Sequence, residues 1–199
     1  LITRLSAEDP AIMAEENNKL QQIAEKTRLG IPVTISSDPR NSFEYLAGAS
    51  TASGQFTQWP ETLGLAAIGD EKLTRRYADI VRQEYLAVGI REALSPQADL
   101  ATEPRWARIS GTFGEDPTRV HNMVRGYIEG MQNGGDGLHS RSLISALTHW
   151  LVYGSADIGY DSHNAYVTYA VFPCMILQSS IHQFTLVSAV PLASFMPIS

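Results

Sequence analysis

Strand-length apolar runs alternate with helical patterns along this chain, and the long polar connections follow the strands. A helix opens at Asp9-Pro10, with Ile12, Met13, Leu20, Ile23 and Ala24 at helical spacing, and closes at Leu29-Gly30. Residues 31–37 form a short run rich in β-branched residues, the pattern of a buried strand. A loop from Asp38 to Pro60 and a short turn lead to a helix over 70–88, with Leu73, Tyr77, Ile80, Val81 and Tyr85 on one face. The order then repeats as strand 90–96, loop 99–117, helix 118–132, strand 143–150, loop 151–168, helix 175–190 and strand 192–198. Strand–helix alternation specifies parallel strands with covering helices. Long loops after strands and short ones after helices are the asymmetry of a (β/α) TIM barrel, whose site is built from the loops following the strands. A full barrel takes about 250 residues and eight strands. The expectation is therefore an α/β chain that forms about four strands of such a barrel, with residues 1–199 as one piece of that domain.

Composition narrows the function classes. Net charge is −6 and the 15 basic residues are scattered, so no basic patch marks a nucleic-acid or anionic-membrane surface. No apolar run is long enough for a membrane-spanning helix. The single cysteine, Cys174, lies among apolar residues and reads as an inert buried thiol. The chain opens without Met and without a secretory pattern, which predicts an excerpt or a processed form. Residues 162–199 contain no Asp, Glu, Lys or Arg. A barrel helix normally carries charge on its outer face, so this stretch predicts cover from the rest of a parent chain or from self-association.

The loop from Asp99 to Pro117 carries the densest chemistry: Asp99, Glu103, Arg105, Arg108, Glu115 and Asp116 beside Trp106 and Phe113. Charged groups around an indole suit a polar, ring-shaped ligand such as a sugar, and suit equally a surface loop braced by ion pairs. Within it, Pro104-Arg-Trp-Ala-Arg108 followed by Gly114-Glu-Asp-Pro117 resembles the Pro-Arg-Trp-Gly-Arg…Ser-Glu-Asp-Pro signature of glycoside hydrolase family 3, the β-glucosidases and exo-glucanases. The segments 28–38, 56–65, 149–154 and 193–197 resemble the same family in the same order.

The resemblance implies retaining hydrolysis of terminal β-glucosyl residues by a parent enzyme, with no metal or organic cofactor. Its ligand would be a β-glucoside or β-glucan oligosaccharide, and its location periplasmic or secreted. It also implies site residues. Asp38, at the end of the first strand, matches the acidic residue that accepts from two sugar hydroxyls, although a turn-starting Asp before Pro39 is the plain reading. Arg105 matches the arginine that donates to a sugar hydroxyl, and an ion pair with Glu103 or Glu115 is its competing role. His149 matches the histidine that closes the third strand, while Thr148 replaces the lysine that usually precedes it. Asp161 and His163 resemble the Asp-x-His pair of the β-N-acetylglucosaminidase branch, where histidine is the general acid/base. That branch also has a lysine and a Pro-Gly that are missing here.

Retaining glycosidases need two carboxyl groups about 5–5.5 Å apart. In the family the nucleophile sits at the end of a later strand and the acid/base comes from a second domain, so neither is expected within these residues. The isolated chain is expected to bind sugar weakly and to turn none over. The alternatives are β-N-acetylglucosaminidase activity through His163 in the parent, or a non-catalytic carbohydrate-binding or structural remnant.

Overall fold

The computed structural model describes residues 1–3, 9–43, 50–149, 159–160 and 194–195. Its elements run α1 (Pro10–Glu25), β1 (Ser36–Ser37), α2 (Thr62–Ile68), α3 (Glu71–Ala87) and β2 (Glu92–Ala93). A 3₁₀ turn at Ile109–Gly111, α4 (Pro117–Gln132), β3 (Ile144–Leu147) and β4 (Ser194–Phe195) follow. Three helices begin on an aspartate. Asp9 accepts from the Ala11 amide, Asp70 from those of Lys72 and Leu73, and Asp116 from that of Arg119. Each such cap supplies an acceptor to amides that the helix leaves unpaired, typically worth about 1 kcal/mol. Pro10 and Pro117 fit directly behind their caps, where a missing N–H costs nothing.

The four strands lie in one parallel sheet in the order β1-β2-β3-β4. Ser36 is paired with Glu92, Glu92 with Ile144, and Ala146 with Ser194. Sequence order equal to spatial order, with helices on the β1–β2 and β2–β3 connections, is the winding expected of α/β units. The strands are shorter than the apolar runs that encode them: 31–37 becomes Ser36–Ser37 and 90–96 becomes Glu92–Ala93. Two features escape the sequence pattern. Residues 62–68 form a helix, α2, where a turn was expected, and Gly69 ends it at φ 76°. Leu1–Thr3 also adds to the outer side of β1, with Ile2 bridged in parallel to Ser36. The first helix stops at Glu25, earlier than expected, and Lys26 to Gly30 turn the chain toward the sheet. The expected helix over 175–190 lies outside the described residues.

The core lies between the sheet and the pair α3–α4. Tyr77, Val81 and Tyr85 of α3 meet Val120, Val124, Tyr127 and Ile128 of α4 in one buried cluster. Gly126 and Gly130, one turn apart on α4, let α3 approach closely: a Cβ on Gly130 would lie 2.4 Å from the Arg75 carbonyl oxygen. Tyr77 and Tyr127 pack edge-on with ring centroids 5.9 Å apart, and both reach the end of the sheet where the cavity opens.

Candidate functional site

A cavity of about 230 Å³ lies over the ends of the strands from which the long loops leave. Asp38 enters it directly after β1, Leu94 to Gln97 after β2, and Thr148 and His149 after β3. Glu61 and Thr62, at the start of α2, and Arg108, Ser110 and Gly111, around the 3₁₀ turn, close another side. Tyr77, Tyr127, Leu94 and Pro96 supply the apolar wall. Two acidic residues, an arginine and a histidine therefore line a partly apolar hollow. This is the make-up of a site for a small polyhydroxylated ligand, with charged hydrogen-bonding groups and surfaces for ring faces.

Local hydrogen bonds fix these groups. Tyr85 donates to the Asp38 carbonyl at 3.1 Å and Ser37 donates to the same oxygen at 2.8 Å, which holds the turn that presents the Asp38 side chain. Burial pushes the Tyr85 hydroxyl far above the ordinary phenol range, so it is a permanent donor. Arg40, 1% exposed, donates from Nε to the Ser37 hydroxyl at 2.7 Å and from Nη2 to the Thr3 carbonyl at 3.0 Å. It ties Leu1–Thr3 to β1. Desolvation lowers its pKa, opposed by Tyr85 and by the Asp38 carboxylate. On the β2 side, Ser95 and Tyr127 share a hydrogen bond of 2.9 Å, and burial pushes the Tyr127 hydroxyl up to about 12. The Asn41 amide, the Thr57 amide and the Thr57 hydroxyl all donate to the Glu84 carboxylate, which pins the loop after β1 to α3.

The residues expected from sequence separate here. Asp38 and His149 come together at the cavity. Arg105 does not. Its guanidinium is 61% exposed and forks onto Glu103, with Nε and Nη2 at 2.8 and 2.7 Å from the two carboxylate oxygens. That pair holds the Glu103 carboxyl down to about 2, chiefly through the Arg105 side-chain hydrogen bonds. Arg108, one 3₁₀ turn further along, takes the place at the cavity. Its carbonyl accepts from the Gly111 amide and from the Gln97 side chain, which fixes the turn. Trp106 and Phe113 are 1% and 0% exposed, so the indole is a core residue and offers no stacking face. Asp161 and His163 lie outside the described residues. Arg40 and Asp99 do not line the cavity but hold residues beside it and at it, Ser37 and His149; Arg40 and the Asp99–His149 contact were not read from the sequence, where the signal was charge next to a strand end. The peptide bonds Ser95–Pro96 and Thr148–His149 are both cis, and both adjoin the cavity.

A parallel α/β sheet with a cavity of mixed polarity over the ends of its strands is a scaffold of the barrel or open-sheet kind, in which ligands bind at that end. Comparison with known proteins narrows that class. The model of the glycosyl hydrolase family 3 N-terminal domain matches residues 1–185, and the chain belongs to that family. It is 65% identical over 196 residues to a periplasmic β-glucosidase/β-xylosidase of Dickeya chrysanthemi, covering 98% of this chain and 30% of the relative. It is 44% identical over 184 residues to a probable β-glucosidase C of Aspergillus flavus, covering 92% of this chain and 29% of that one. The chain thus spans under a third of the length of these relatives. The fold superposes on the crystal structure of a Listeria innocua β-glucosidase in complex with isofagomine with a TM-score of 0.74 at 21% identity, covering 99% of this chain and 25% of the other. An exo-1,3/1,4-β-glucanase from a Pseudoalteromonas species gives 0.71 at 23% identity, covering 95% and 23%.

Proposed function

We propose that this chain forms the sugar-binding part of a β-glucosidase-type active site, which the parent protein uses for retaining hydrolysis of terminal β-glucosyl residues. The observation that carries this reading is the cavity that gathers Asp38, Arg108 and His149 over the strand ends of a family 3 domain. Asp38 accepts from two sugar hydroxyls, Arg108 donates to a third, and His149 lies against the same ring. The apolar faces of Tyr77, Tyr127 and Pro96 border it. Arg108 replaces Arg105 in this role because, of the two, only Arg108 lines the cavity. The nucleophile and acid/base belong to other parts of the parent, so these residues bind and orient the sugar without cleaving it.

The name of the Dickeya relative supports β-glucoside and β-xyloside as substrates and the periplasm as the compartment. Among the described residues no helix is long and apolar enough to cross a membrane.

The test is a titration of the 199-residue chain with glucose and with xylose, followed by amide NMR shifts and run beside hydrolysis of an aryl β-glucoside. The expected result is millimolar binding that Asp38→Ala abolishes, with no turnover. Absence of binding would leave a purely structural role for this chain, and turnover would place the catalytic carboxylates within it.

A further inference from the structure

Asp99 follows the end of β2 and is 3% exposed. Its Oδ2 accepts from the backbone amide of His149 at 3.1 Å and lies 3.1 Å from Nδ1 of the same residue's ring. Its Oδ1 is buried and has no hydrogen-bond partner among the described residues. A buried carboxylate with one orphaned oxygen is costly. The loop it opens does not need it for shape, since backbone bonds from Ala101 to Gly114, Trp106 to Glu103 and Ile109 to Trp106 already fold that loop.

We propose that Asp99 is a positioning residue for His149, holding the imidazole in the tautomer that carries its proton on Nδ1. An ionised carboxylate can only accept, so the ring nitrogen facing Oδ2 is the protonated one, and in a neutral ring Nε2 then carries a lone pair. His149 lines the cavity, and Asp99 holds the Nδ1 side of its ring. His149 is therefore an acceptor at the site, beside the Asp38 carboxylate, and Arg108 is the donor. The ligand must bring a hydroxyl that donates to Nε2, and an ether or a deoxy carbon at that place would lose the contact. Only the identity of the ligand rests on the sugar-site reading; the tautomer does not.

The test is a long-range ¹H–¹⁵N correlation spectrum of the 199-residue chain labelled at histidine. It is recorded without ligand at about pH 8.5, some two units above the ordinary imidazole value. The chain has five histidines, and the His149→Gln spectrum identifies the one of interest. The expected pattern is a protonated Nδ1 and a bare Nε2. Asp99→Ala shifts the proton to Nε2, and Asp99→Asn, which keeps a carbonyl oxygen, restores the wild-type pattern. A residue that merely supported the fold would change stability without moving the tautomer. A proton on Nε2 in the wild type, a ring protonated on both nitrogens, or an Asp99→Ala spectrum identical to wild type would each overturn the assignment. Should Asp99→Ala fail to fold, the wild-type and Asp99→Asn spectra decide it. Because no ligand is present, a negative spectrum refutes the role of Asp99 and leaves the sugar site standing, while a failed titration does the reverse.

Discussion

Replacing Gly130 by alanine sets two well-measured effects against each other. In an exposed helix interior alanine is favoured over glycine by about 1 kcal/mol, because glycine loses more backbone entropy. At Gly130 the added methyl would meet the Arg75 carbonyl oxygen at 2.4 Å, the Ala78 Cβ at 2.7 Å and the Asp79 nitrogen at 3.0 Å. Two of those atoms are α3 backbone, so no side-chain rotation relieves the clash; the helices must separate. Overpacking of this kind costs about 1–3 kcal/mol, and at an approach of 2.4 Å the upper part of that range applies. The net expectation is a loss of about 1–2 kcal/mol, with the sign of helix propensity reversed. Gly126, with contacts of 3.0 Å to Glu71, falls between this and Gly135, where a Cβ meets nothing within 4 Å. Urea unfolding followed by far-UV circular dichroism reads the order directly, as midpoints falling Gly130→Ala below Gly126→Ala below Gly135→Ala at a common slope. A Gly130→Ala protein as stable as wild type or more so would refute the close α3–α4 packing. With it would go the packing that brings Tyr77 and Tyr127 together at the cavity.

Three further outcomes are expected. Arg108→Ala weakens glucose binding by about tenfold or more, the size of a lost charge-assisted hydrogen bond, while Arg105→Ala leaves it within about twofold; a reversed pair of NMR titrations would return the role to Arg105. Tyr127→Phe strands the buried Ser95 hydroxyl and costs about 1–3 kcal/mol of unfolding free energy, and Ser95→Ala added to it recovers part of that loss. The Glu103 carboxyl is held near 2 by Arg105, so its ion pair is intact above the ordinary value of 4.5 and is lost as pH falls through about 2. A carboxyl-carbon titration of Arg105→Ala should show the midpoint back near 4.5.

The helices were legible because their signals are local. Asp9-Pro10, Asp70 and Asp116-Pro117 place an acceptor where the first amides need one, and these starts stand where the sequence puts them. The parallel order was legible from alternation. Strand lengths were not, since an apolar run shows only that a segment is buried, while pairing with a neighbour decides how much of it joins the ladder. The short helix α2, seven residues without a side-chain cap, stands where the sequence predicts only a turn.

The candidate site divides along the same line. Sequence alone determined that charged residues would gather after the strands, and the family resemblance, not the apolar pattern, singled out Asp38 and His149 among them. The resemblance assigned the sugar-binding arginine to Arg105, although Arg108 shares its charge and its motif. The turn from Glu103 to Gly111 sends the first outward onto Glu103 and the second to the cavity. Sequence could not pair Asp99 with His149, which lie 50 residues apart. That contact exists because β2 and β3 run side by side and end together, with Gln97 bridged to Thr148. Local chemistry acts over a few residues and is written in order along the chain. Which side chains share a cavity follows from strand register and helix packing, and only the tertiary structure decides those.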